Sequence, residues 1–462
     1  MLAHGATVGI SARYHPVMLC WILMACSGPP TKPDTDTDTD TTVDVTLEAT
    51  VSEAMPTSVT FSVSGDGIEE PVVSYGRDGV LDSQLALVAG DGGFQASASL
   101  LKPASQYDWT LSARLGDETI SVEAEPFSTG GPPATLPTFS FTAHEDGAVM
   151  EGHMVTSILS IPSAAVIIDE DGDYVWWRLA TDHGLVTRAR LSLDGEAVLF
   201  LDPIETTGED TTYALTRVSL DGAEITQLPG GEGIHHDFVE VSPGLTVQIQ
   251  HDSREVDGEI IKGDRLVEVS SDGSERVVWS VWDHLSYRPE QQVPYLDWTH
   301  ANALDYDPDE DALTVSLCSF STLYHLDRET GAVLWKLGGQ DSDFRLSDPS
   351  EDLFTRQHQF ERTDDGIIVF DNQAFEQQES RVIEYVLDLD AGTATERLRH
   401  LTDPPVYTHG LGDVSRLPDG RTRVVWSAQG LIQELSEDGE LRWELQASLG
   451  GGIGYVTWTD GL

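Results

Sequence analysis

Three histidines of the sequence share one position relative to a turn, because each lies seven residues before it. They are His236 before Pro243, His300 before Asp307, and His358 before Asp365. Since the chain has only 14 histidines, this shared phase indicates a common role. If the fold brings these histidines together, their imidazoles form one site.

The corresponding positions before two further turns differ. The position before Asp194 holds Thr187, with Arg188 beside it. Before Asp419 the nearest histidine is His409, three residues further out. We assign His409 to substrate binding, at the edge of the predicted site.

Several imidazoles at one point support two kinds of chemistry. They can bind a transition metal, since imidazole suits Zn, Cu, Fe and Ni. Alternatively, one imidazole is a nucleophile and the others donate hydrogen bonds to an anion. The spacing alone leaves both open. The histidines that lack the shared phase are interpreted as ordinary residues: His251, His284, His325 and His400.

The histidine turns belong to one of two alternating kinds of hairpin. The other kind has an apolar strand on each side of a Gly-containing turn and recurs six times, with turns at Asp171, Asp221, Asp272, Thr330, Ala391 and Asp438. Two alternating hairpins make a four-stranded unit, and a radial repeat of such units is a β-propeller. We therefore expect an all-β fold with a six-bladed β-propeller over residues 139–462, with a seven-bladed ring as the alternative.

The two ends of the propeller are expected to close the ring. The segment Tyr455–Trp458 is predicted to pair with strands between Ala148 and Ile168. Equivalent positions of successive blades are related by rotation about the central axis. The in-phase histidines should therefore meet at the mouth of the central channel.

The sequence around these histidines resembles one enzyme family. The motifs are His235-His236-Asp237, Trp298-Thr-His300-Ala-Asn302, Ser321-Thr-Leu-Tyr-His-Leu-Asp327, Val333-Leu-Trp335-Lys-Leu-Gly338-Gly339, Arg356-Gln357-His358 and Phe370-Asp371-Asn372. Their order and spacing, from about Asp169 to Glu444, are similar to those of the bacterial arylsulfotransferases, which use no nucleotide sulfate donor. The resemblance does not extend to the part of the chain before the propeller.

This resemblance implies a ping-pong transfer of a sulfuryl group from an aryl sulfate to a phenol. Carried over by position, His358 is the nucleophile that becomes a transient sulfohistidine. His236 and His300 would bind the sulfuryl oxygens or handle the phenol proton, with His235 beside them. Asn302, two residues past His300, shares its strand face and could orient a ligand. No metal or other cofactor is implied.

One position departs from the family pattern. An arginine is expected in the strand after the His300 turn, where this chain has Cys318. Loss of one charged donor from a dry site costs about 2–4 kcal/mol of barrier stabilisation. Arg356 shares the face of His358 and is one candidate substitute, and Arg188 is another. Cys318 is either a buried thiol or a reactive group at the site.

The N-terminus has the features of a lipoprotein. Residues 1–25 read as a signal peptide whose apolar run, Val17–Ala25, is too short to span a bilayer. The segment Leu23–Cys26 resembles a lipobox, which implies acylation of Cys26, and Ser27 implies sorting to the outer membrane. The Thr/Asp-rich residues 26–45 contain too little apolar surface to pack and are predicted to be a disordered tether.

A small domain is predicted between the tether and the propeller. Residues 46–129 show short alternating strands separated by turns. The segment around Tyr107 resembles the fibronectin type III pattern, with Tyr107 as the tyrosine corner. Residues 130–138 form a Gly/Pro linker.

The charge of the chain restricts its partners. It has 79 acidic against 26 basic residues, a formal net charge of −53. This balance excludes nucleic acid, whose phosphates need Lys and Arg. The sequence allows two alternatives to an exported, lipid-anchored sulfotransferase. They are a non-catalytic propeller that binds an anionic aromatic ligand or serves as a scaffold, and a metal site built on the same histidines.

Overall fold

The structure is a computed structural model that describes residues 8–10, 45–90, 92–207, 210–288, 297–448, 451–460 and 462. It divides into two compact units, Met1–Gly131 and Pro132–Leu462. The predicted signal peptide (apart from the strand Val8–Ile10), Cys26 and the tether as far as residue 44 lie outside the described residues. No helix among the described residues is long and apolar enough to cross a bilayer.

The first unit is a β-sandwich. Its strands are β1 (Val8–Ile10), β2 (Val45–Val51), β3 (Val59–Gly65), β4 (Ile68–Arg77), β5 (Val80–Ala86), β6 (Val88–Gly90), β7 (Gly93–Ala98), β8 (Gln106–Leu115), β9 (Glu118–Glu123) and β10 (Phe127–Ser128). One sheet has the order β1-β2-β3-β7-β6, and the other has β10-β8-β4-β5 with β9 also beside β8. Alternating residues from both sheets, such as Phe61 and Trp109, form its core.

The predicted tyrosine corner is present as a hydrogen bond. The hydroxyl oxygen of Tyr107 accepts from the backbone N–H of Lys102, five residues upstream, at 2.9 Å. This is the bond that a tyrosine corner makes. The first strand after the predicted tether begins at Val45, one residue before the predicted boundary. Assignment of this sandwich to the fibronectin type III class stays a prediction.

The regular elements of the second unit are almost all strands. They are β11 (Phe139–Ala143), β12 (His153–Ile158), β13 (Ala164–Ile168), β14 (Tyr174–Leu179), β15 (Ala189–Leu191), β16 (Ala197–Thr207), β17 (Asp210–Ser219), β18 (Ile225–Gln227), β19 (Ile234–Ser242), β20 (Leu245–Val256), β21 (Glu259–Ser270), β22 (Glu275–Ser280), β23 (Ala301–Asp307), β24 (Ala312–Leu317), β25 (Thr322–Asp327), β26 (Val333–Gly338), β27 (Arg345–Leu346), β28 (Phe360–Thr363), β29 (Gly366–Asp371), β30 (Arg381–Asp388), β31 (Thr393–His400), β32 (Asp413–Arg416), β33 (Thr422–Trp426), β34 (Leu431–Leu435), β35 (Leu441–Ala447) and β36 (Thr457–Thr459). One α-helix, α1 (Val281–His284), and two 3₁₀ turns, Cys318–Phe320 and Ser427–Gln429, complete the elements among the described residues.

These strands form successive four-stranded meanders, the architecture of a β-propeller. In the described part of this unit there are six sheets: β36-β12-β13-β14, β15-β16-β17-β18, β19-β20-β21-β22, β23-β24-β25-β26, β28-β29-β30-β31 with β27 beside β31, and β32-β33-β34-β35 with β11 beside β35. The number of repeats in the sequence predicts six blades. Every predicted turn of both hairpin kinds joins two neighbouring strands of one sheet.

Strands from both ends of the unit join the ring. The last strand, β36, pairs antiparallel with β12, so that Met154 lies opposite Trp458. This is the closure predicted from the sequence. The strand β11 adds a fifth strand to the last sheet by pairing with β35, which the sequence did not predict.

The core lies between neighbouring sheets. One cluster joins β19–β22 to β23–β26 and includes the buried residues Val247, Leu266 and Leu313. Trp279 and Tyr324, on different sheets, have ring centroids 5.5 Å apart. Burial of each such side chain contributes about 1.5–3 kcal/mol. This packing fixes the inner strands whose ends carry the histidines.

Candidate active site

The three in-phase histidines meet at one end of three consecutive inner strands. His236 is in β19, His300 directly precedes β23, and His358 lies two residues before β28. The ring centroids of His236 and His300 are 4.7 Å apart. The charges of His300 and His358 both lower the pKa of His236, and that of His300 lowers the pKa of His358. The three imidazoles therefore form one electrostatically coupled cluster.

Strained backbone accompanies this cluster. His236 and His300 both have left-handed φ values, 58° and 49°, which cost about 1–3 kcal/mol each for residues other than glycine. The pairing with the next strand shifts register around His236 and just after His300. In the third strand the left-handed residue is Arg356 (φ 54°) rather than His358. The three rings thus meet, as their shared distance from the turns predicts. The backbone of His358 nevertheless differs from that of His236 and His300, because its φ is not left-handed.

The tautomer of His358 follows from its hydrogen bonds. Its Nδ1 lies 2.7 Å from Oδ1 of Asn372. The amide group of Asn372 donates to the carbonyl oxygens of Thr408 and Leu411, each at 2.8 Å. Because both amide hydrogens are used there, Oδ1 must face the ring, and an oxygen can only accept. His358 therefore carries its proton on Nδ1 and has its lone pair on Nε2.

Burial keeps the clustered imidazoles neutral. It is the largest cause that lowers the pKa of His358, to about 3, against the hydrogen bond with Asn372. Burial also lowers the pKa of His236 well below its usual value and lowers that of His300. A neutral imidazole has a lone pair that can attack an electrophile or accept a proton.

His235 extends the cluster away from the axis. Its Nδ1 lies 2.7 Å from Nδ1 of His236, and its Nε2 lies 3.1 Å from Oδ1 of Asp264. The other carboxylate oxygen of Asp264 accepts from the hydroxyl of Thr299 at 2.6 Å and the N–H of Ala301 at 2.7 Å. Burial raises the pKa of Asp264, but the hydrogen bonds from His235 and His251 outweigh it and hold this pKa well below its usual value. A fixed carboxylate thus orients His235.

Arg356 lies beside both Cys318 and His358. Its guanidinium acts on the Cys318 thiol through both charge and a hydrogen bond, and its charge also acts on His358. The backbone N–H of Arg356 donates to Oγ of Ser321 at 3.1 Å. The side chain of Arg356 is partly exposed. A cation is therefore present beside His358 even though Cys318 occupies the expected position.

Cys318 itself is enclosed. It is 2% exposed, and its backbone N–H donates to the carbonyl of His300 at 3.1 Å. Burial raises the pKa of its thiol to about 11, and Arg356 opposes this rise only in part. A buried thiol with a raised pKa is a poor nucleophile. The geometry favours the buried-thiol interpretation over a reactive group.

Asn302 is buried beside the same residues. It is 0% exposed, and its amide donates to the carbonyl of Gln357 at 2.8 Å. Its Oδ1 has no hydrogen-bond partner in the described part of the chain. Its backbone carbonyl accepts from the hydroxyl of Tyr455 at 2.8 Å. Asn302 thus connects the His300 and His358 strands, and its free oxygen is a candidate ligand contact.

His409 does not join the buried cluster. It is exposed, and no hydrogen bond links its ring to the other histidines among the described residues. The position seven residues before Asp419 is Gly412, where a Cβ would lie 2.1 Å from a ring carbon of Phe370. No side chain fits there. Neighbouring Thr408 instead contributes its carbonyl oxygen to Asn372.

The side chain of Arg188 is engaged in structural ion pairs. Its Nε lies 3.2 Å from Oδ1 of Asp237, and its Nη1 lies 3.9 Å from Oδ2 of Asp413. Arg190 approaches the same oxygen of Asp237 at 3.4 Å. All of these carboxylates are buried. Arg188 is therefore a poor substitute for the missing arginine.

Three residues of the site escape prediction from the sequence. Asn372 lies in one of the motifs without an assigned role, Asp264 lies in none of them, and His251 lacks the shared phase. His251 stacks on His235 with ring centroids 3.9 Å apart. A signal existed for two of them: His251 and Asp264 lie symmetrically about the Asp257-Gly258 turn and face each other across β20 and β21.

A comparison with known families identifies the second unit. The model described as Arylsulfotransferase (ASST) matches residues 147–447 of the 462. This range contains every histidine of the cluster and the arginine beside it. No curated protein matches the sequence of the chain.

Several solved structures are similar in fold at low identity. A protein of unknown function from Bacteroides caccae has 13% identity and a TM-score of 0.40, with 66% of this chain and 98% of that chain covered. A catalytically inactive virginiamycin B lyase from Staphylococcus aureus with quinupristin has 12% identity and a TM-score of 0.37, with 66% and 88% covered. A streptogramin B lyase structure has 11% identity and a TM-score of 0.36, with 70% and 98% covered.

The buried state of Cys318 predicts an unreactive thiol. In a form with Cys20 and Cys26 replaced by Ser, Cys318 is the remaining thiol. At pH 8, three units below a pKa of about 11, only about one thiol in a thousand is ionised. We expect no reaction with a disulfide reagent in the native state and one equivalent after unfolding in guanidinium. Stoichiometric reaction of the native protein would contradict this.

Proposed function

The chain belongs to the arylsulfotransferase family, and from this premise we propose that it moves a sulfuryl group from an aryl sulfate to a phenol through a transient sulfohistidine, without a nucleotide sulfate donor. The observation that carries the proposal is the 2.7 Å hydrogen bond between His358 and Asn372. It leaves the lone pair of a neutral imidazole on Nε2, within the cluster of histidines. That is the form in which a histidine acts as a nucleophile.

In the first half-reaction, Nε2 of His358 attacks the sulfur of the aryl sulfate. The new N–S bond forms as the S–O bond to the aryl group breaks, and the electron pair leaves with the phenolate. The ring, still protonated on Nδ1, gains positive charge. Oδ1 of Asn372, which already accepts from Nδ1, stabilises this charge at no cost of reorganisation.

The developing charge on the sulfuryl oxygens needs fixed donors, as in phosphoryl transfer. Arg356 supplies a guanidinium beside His358 and Cys318. Removal of one such donor from an enclosed site costs about 10²–10³ in rate. Arg356 thus takes the role that the family assigns to the arginine replaced here by Cys318.

The remaining histidines handle the phenol proton and the sulfuryl oxygens. His236 and His300 have ring centroids 4.7 Å apart, and both are neutral because burial lowers their pKa values. One N–H can protonate the leaving phenolate. The same nitrogen can take the proton of the acceptor phenol when that phenol attacks the sulfohistidine. The reaction written in this way needs no cofactor.

A second candidate function is binding without turnover. The observation that favours it is Cys318 at a position where the resemblance to the family predicts an arginine. In that case the channel mouth holds an anionic aromatic ligand through Arg356, and no group is transferred. Turnover of an aryl sulfate separates the two candidates.

Replacement of His358 tests the nucleophile. With p-nitrophenyl sulfate and phenol, we expect the wild-type chain to release p-nitrophenol and His358→Asn to release none. Without phenol, wild-type protein quenched in base should carry one sulfuryl group on the peptide that contains His358, as measured by mass spectrometry. Full turnover by His358→Asn would overturn the assignment. Binding of p-nitrophenyl sulfate without release by the wild type would support the second candidate.

Replacement of Arg356 tests the substitute cation. We expect Arg356→Gln to lower kcat by about 10²–10³, because the sulfuryl charge loses its guanidinium. The matched control is Arg345→Gln, since Arg345 is exposed and belongs to no part of the site, and it should keep wild-type turnover. An unchanged kcat in Arg356→Gln would show that another group neutralises the sulfuryl oxygens.

The N-terminal segment supports a proposal on location. We propose that the chain is exported, acylated at Cys26 and held at the outer membrane. The support is the segment Leu23–Cys26, which resembles a lipobox, and Ser27, which follows it. The strongly acidic chain is itself poorly suited to an anionic membrane surface. The anchor rather than the protein surface would hold it there.

Replacement of Cys26 tests this location. In a bacterium that processes lipoproteins, we expect the wild-type chain to incorporate labelled palmitate and to sediment with membranes. Cys26→Ser should do neither, because the acylated thiol is absent, whereas Cys20→Ser should behave as the wild type. Membrane association of Cys26→Ser without labelling would contradict lipid anchoring.

A further inference from the structure

A second group of potential metal ligands lies beside the channel histidines. Nε2 of His235 lies 3.1 Å and Nδ1 of His251 lies 3.5 Å from the same oxygen, Oδ1 of Asp264. All three donor atoms lie within 4.8 Å of one another. We propose that His235, His251 and Asp264 form a binding site for a divalent transition-metal ion, and that Zn²⁺ fits it best.

The donor spacing fits tetrahedral zinc. Zn–N and Zn–O bonds are about 2.0–2.2 Å long, which places neighbouring ligand atoms about 3.3–3.6 Å apart. The separations of 3.1 and 3.5 Å to Oδ1 of Asp264 lie close to this range, and the two imidazoles, stacked with centroids 3.9 Å apart, must tilt for both lone pairs to reach one ion. Two imidazoles and one carboxylate are a ligand set that zinc takes in proteins. A harder ion such as Mg²⁺ would prefer oxygen ligands.

The scaffold holds Asp264 and the backbone of His251 in place. His251 and Asp264 are directly opposite each other in the β20–β21 ladder. The second oxygen of Asp264 is fixed by the hydroxyl of Thr299 and the N–H of Ala301. This leaves Oδ1 to face the two imidazoles. Such outer hydrogen bonds orient the ligands in metal sites.

A purely structural role for Asp264 leaves one atom unexplained. Nδ1 of His251 is buried, and its 3.5 Å contact with Oδ1 of Asp264 lacks the geometry of a full hydrogen bond. A metal ion would satisfy this nitrogen. The side chain of His251 is 28% exposed, so one side of the site is open to water as a fourth ligand.

The site is linked to the catalytic cluster through one hydrogen bond, a consequence that rests on the proposed function. Nδ1 of His235 and Nδ1 of His236 are 2.7 Å apart, so one of them donates. A metal on Nε2 of His235 forces the proton onto its Nδ1. His236 must then accept there and, when neutral, carry its proton on Nε2 as a donor. Without metal, Asp264 can accept from Nε2–H of His235, and the tautomer of His236 is reversed. The metal thus sets whether His236 starts as a donor or a base.

Metal titration of the full chain tests the site without any turnover. After chelator treatment and dialysis, we expect one Zn²⁺ per chain by calorimetry. Co²⁺ should give the visible bands of a tetrahedral site and be displaced by Zn²⁺. His251→Gln should weaken Zn²⁺ binding by more than the ~10–100-fold that loss of an outer partner costs. The matched control His183→Gln, at an exposed histidine, should bind as the wild type.

The outcomes separate this site from its alternatives. Absence of stoichiometric Zn²⁺ binding by the wild type overturns the proposal. Binding that survives in His251→Gln but is lost in His358→Asn places the metal among the channel histidines and also overturns it. Stoichiometric binding through His251 in a chain that turns over no aryl sulfate supports the metal site while the proposed function fails. Turnover of aryl sulfate by a chain that binds no Zn²⁺ supports the proposed function and overturns the metal site.

Discussion

The buried carboxylate of Asp237 is the interaction on which the site depends. It is 0% exposed and accepts from the N–H of Leu304 at 3.1 Å and from the side-chain amide of Gln359 at 2.7 Å, while two arginine side chains from the β15 region approach its other oxygen. These groups come from the inner strands of neighbouring sheets. Because His236 precedes Asp237 and His358 precedes Gln359, the hydrogen bonds of Asp237 also position two of the three imidazoles. Removal of one partner from such a buried charged group costs about 3–5 kcal/mol, so the site and the ring are stabilised together.

The chemistry follows from what this framework encloses. Imidazoles packed against each other in a buried place cannot all be charged, and burial lowers the pKa of each of the three. In the proposed mechanism the nucleophile is therefore neutral, and the cation that the sulfuryl group needs must come from a residue that does not titrate. Arg356 meets this need because a guanidinium stays protonated. Its partial exposure places it between the buried cluster and the solvent from which a substrate arrives.

Much of this arrangement was predictable from the sequence, because turns are encoded locally. The hairpin turns predict where the strands begin and end. The equal distance of three histidines from those turns predicts that their side chains meet. The failures arose where tertiary contacts decide. His409 is exposed and lies outside the cluster, and Gly412, at the in-phase position, packs on Phe370 too closely for any side chain. The role of Asn372 depends on two carbonyl groups of a distant loop, which no local pattern shows.

The proposed chemistry requires that Asn372 hold His358 as a neutral ring with its proton on Nδ1. Selective ¹⁵N labelling of histidine and long-range ¹H–¹⁵N correlation spectra measure this directly, with His358→Asn to assign the signal. We predict the Nδ1–H tautomer at pH 7. It should remain neutral as the pH falls to 5, because burial lowers the pKa of His358 to about 3. An imidazolium at pH 7, or a ring with its proton on Nε2, would contradict the account, since Nε2 would then have no lone pair with which to attack sulfur.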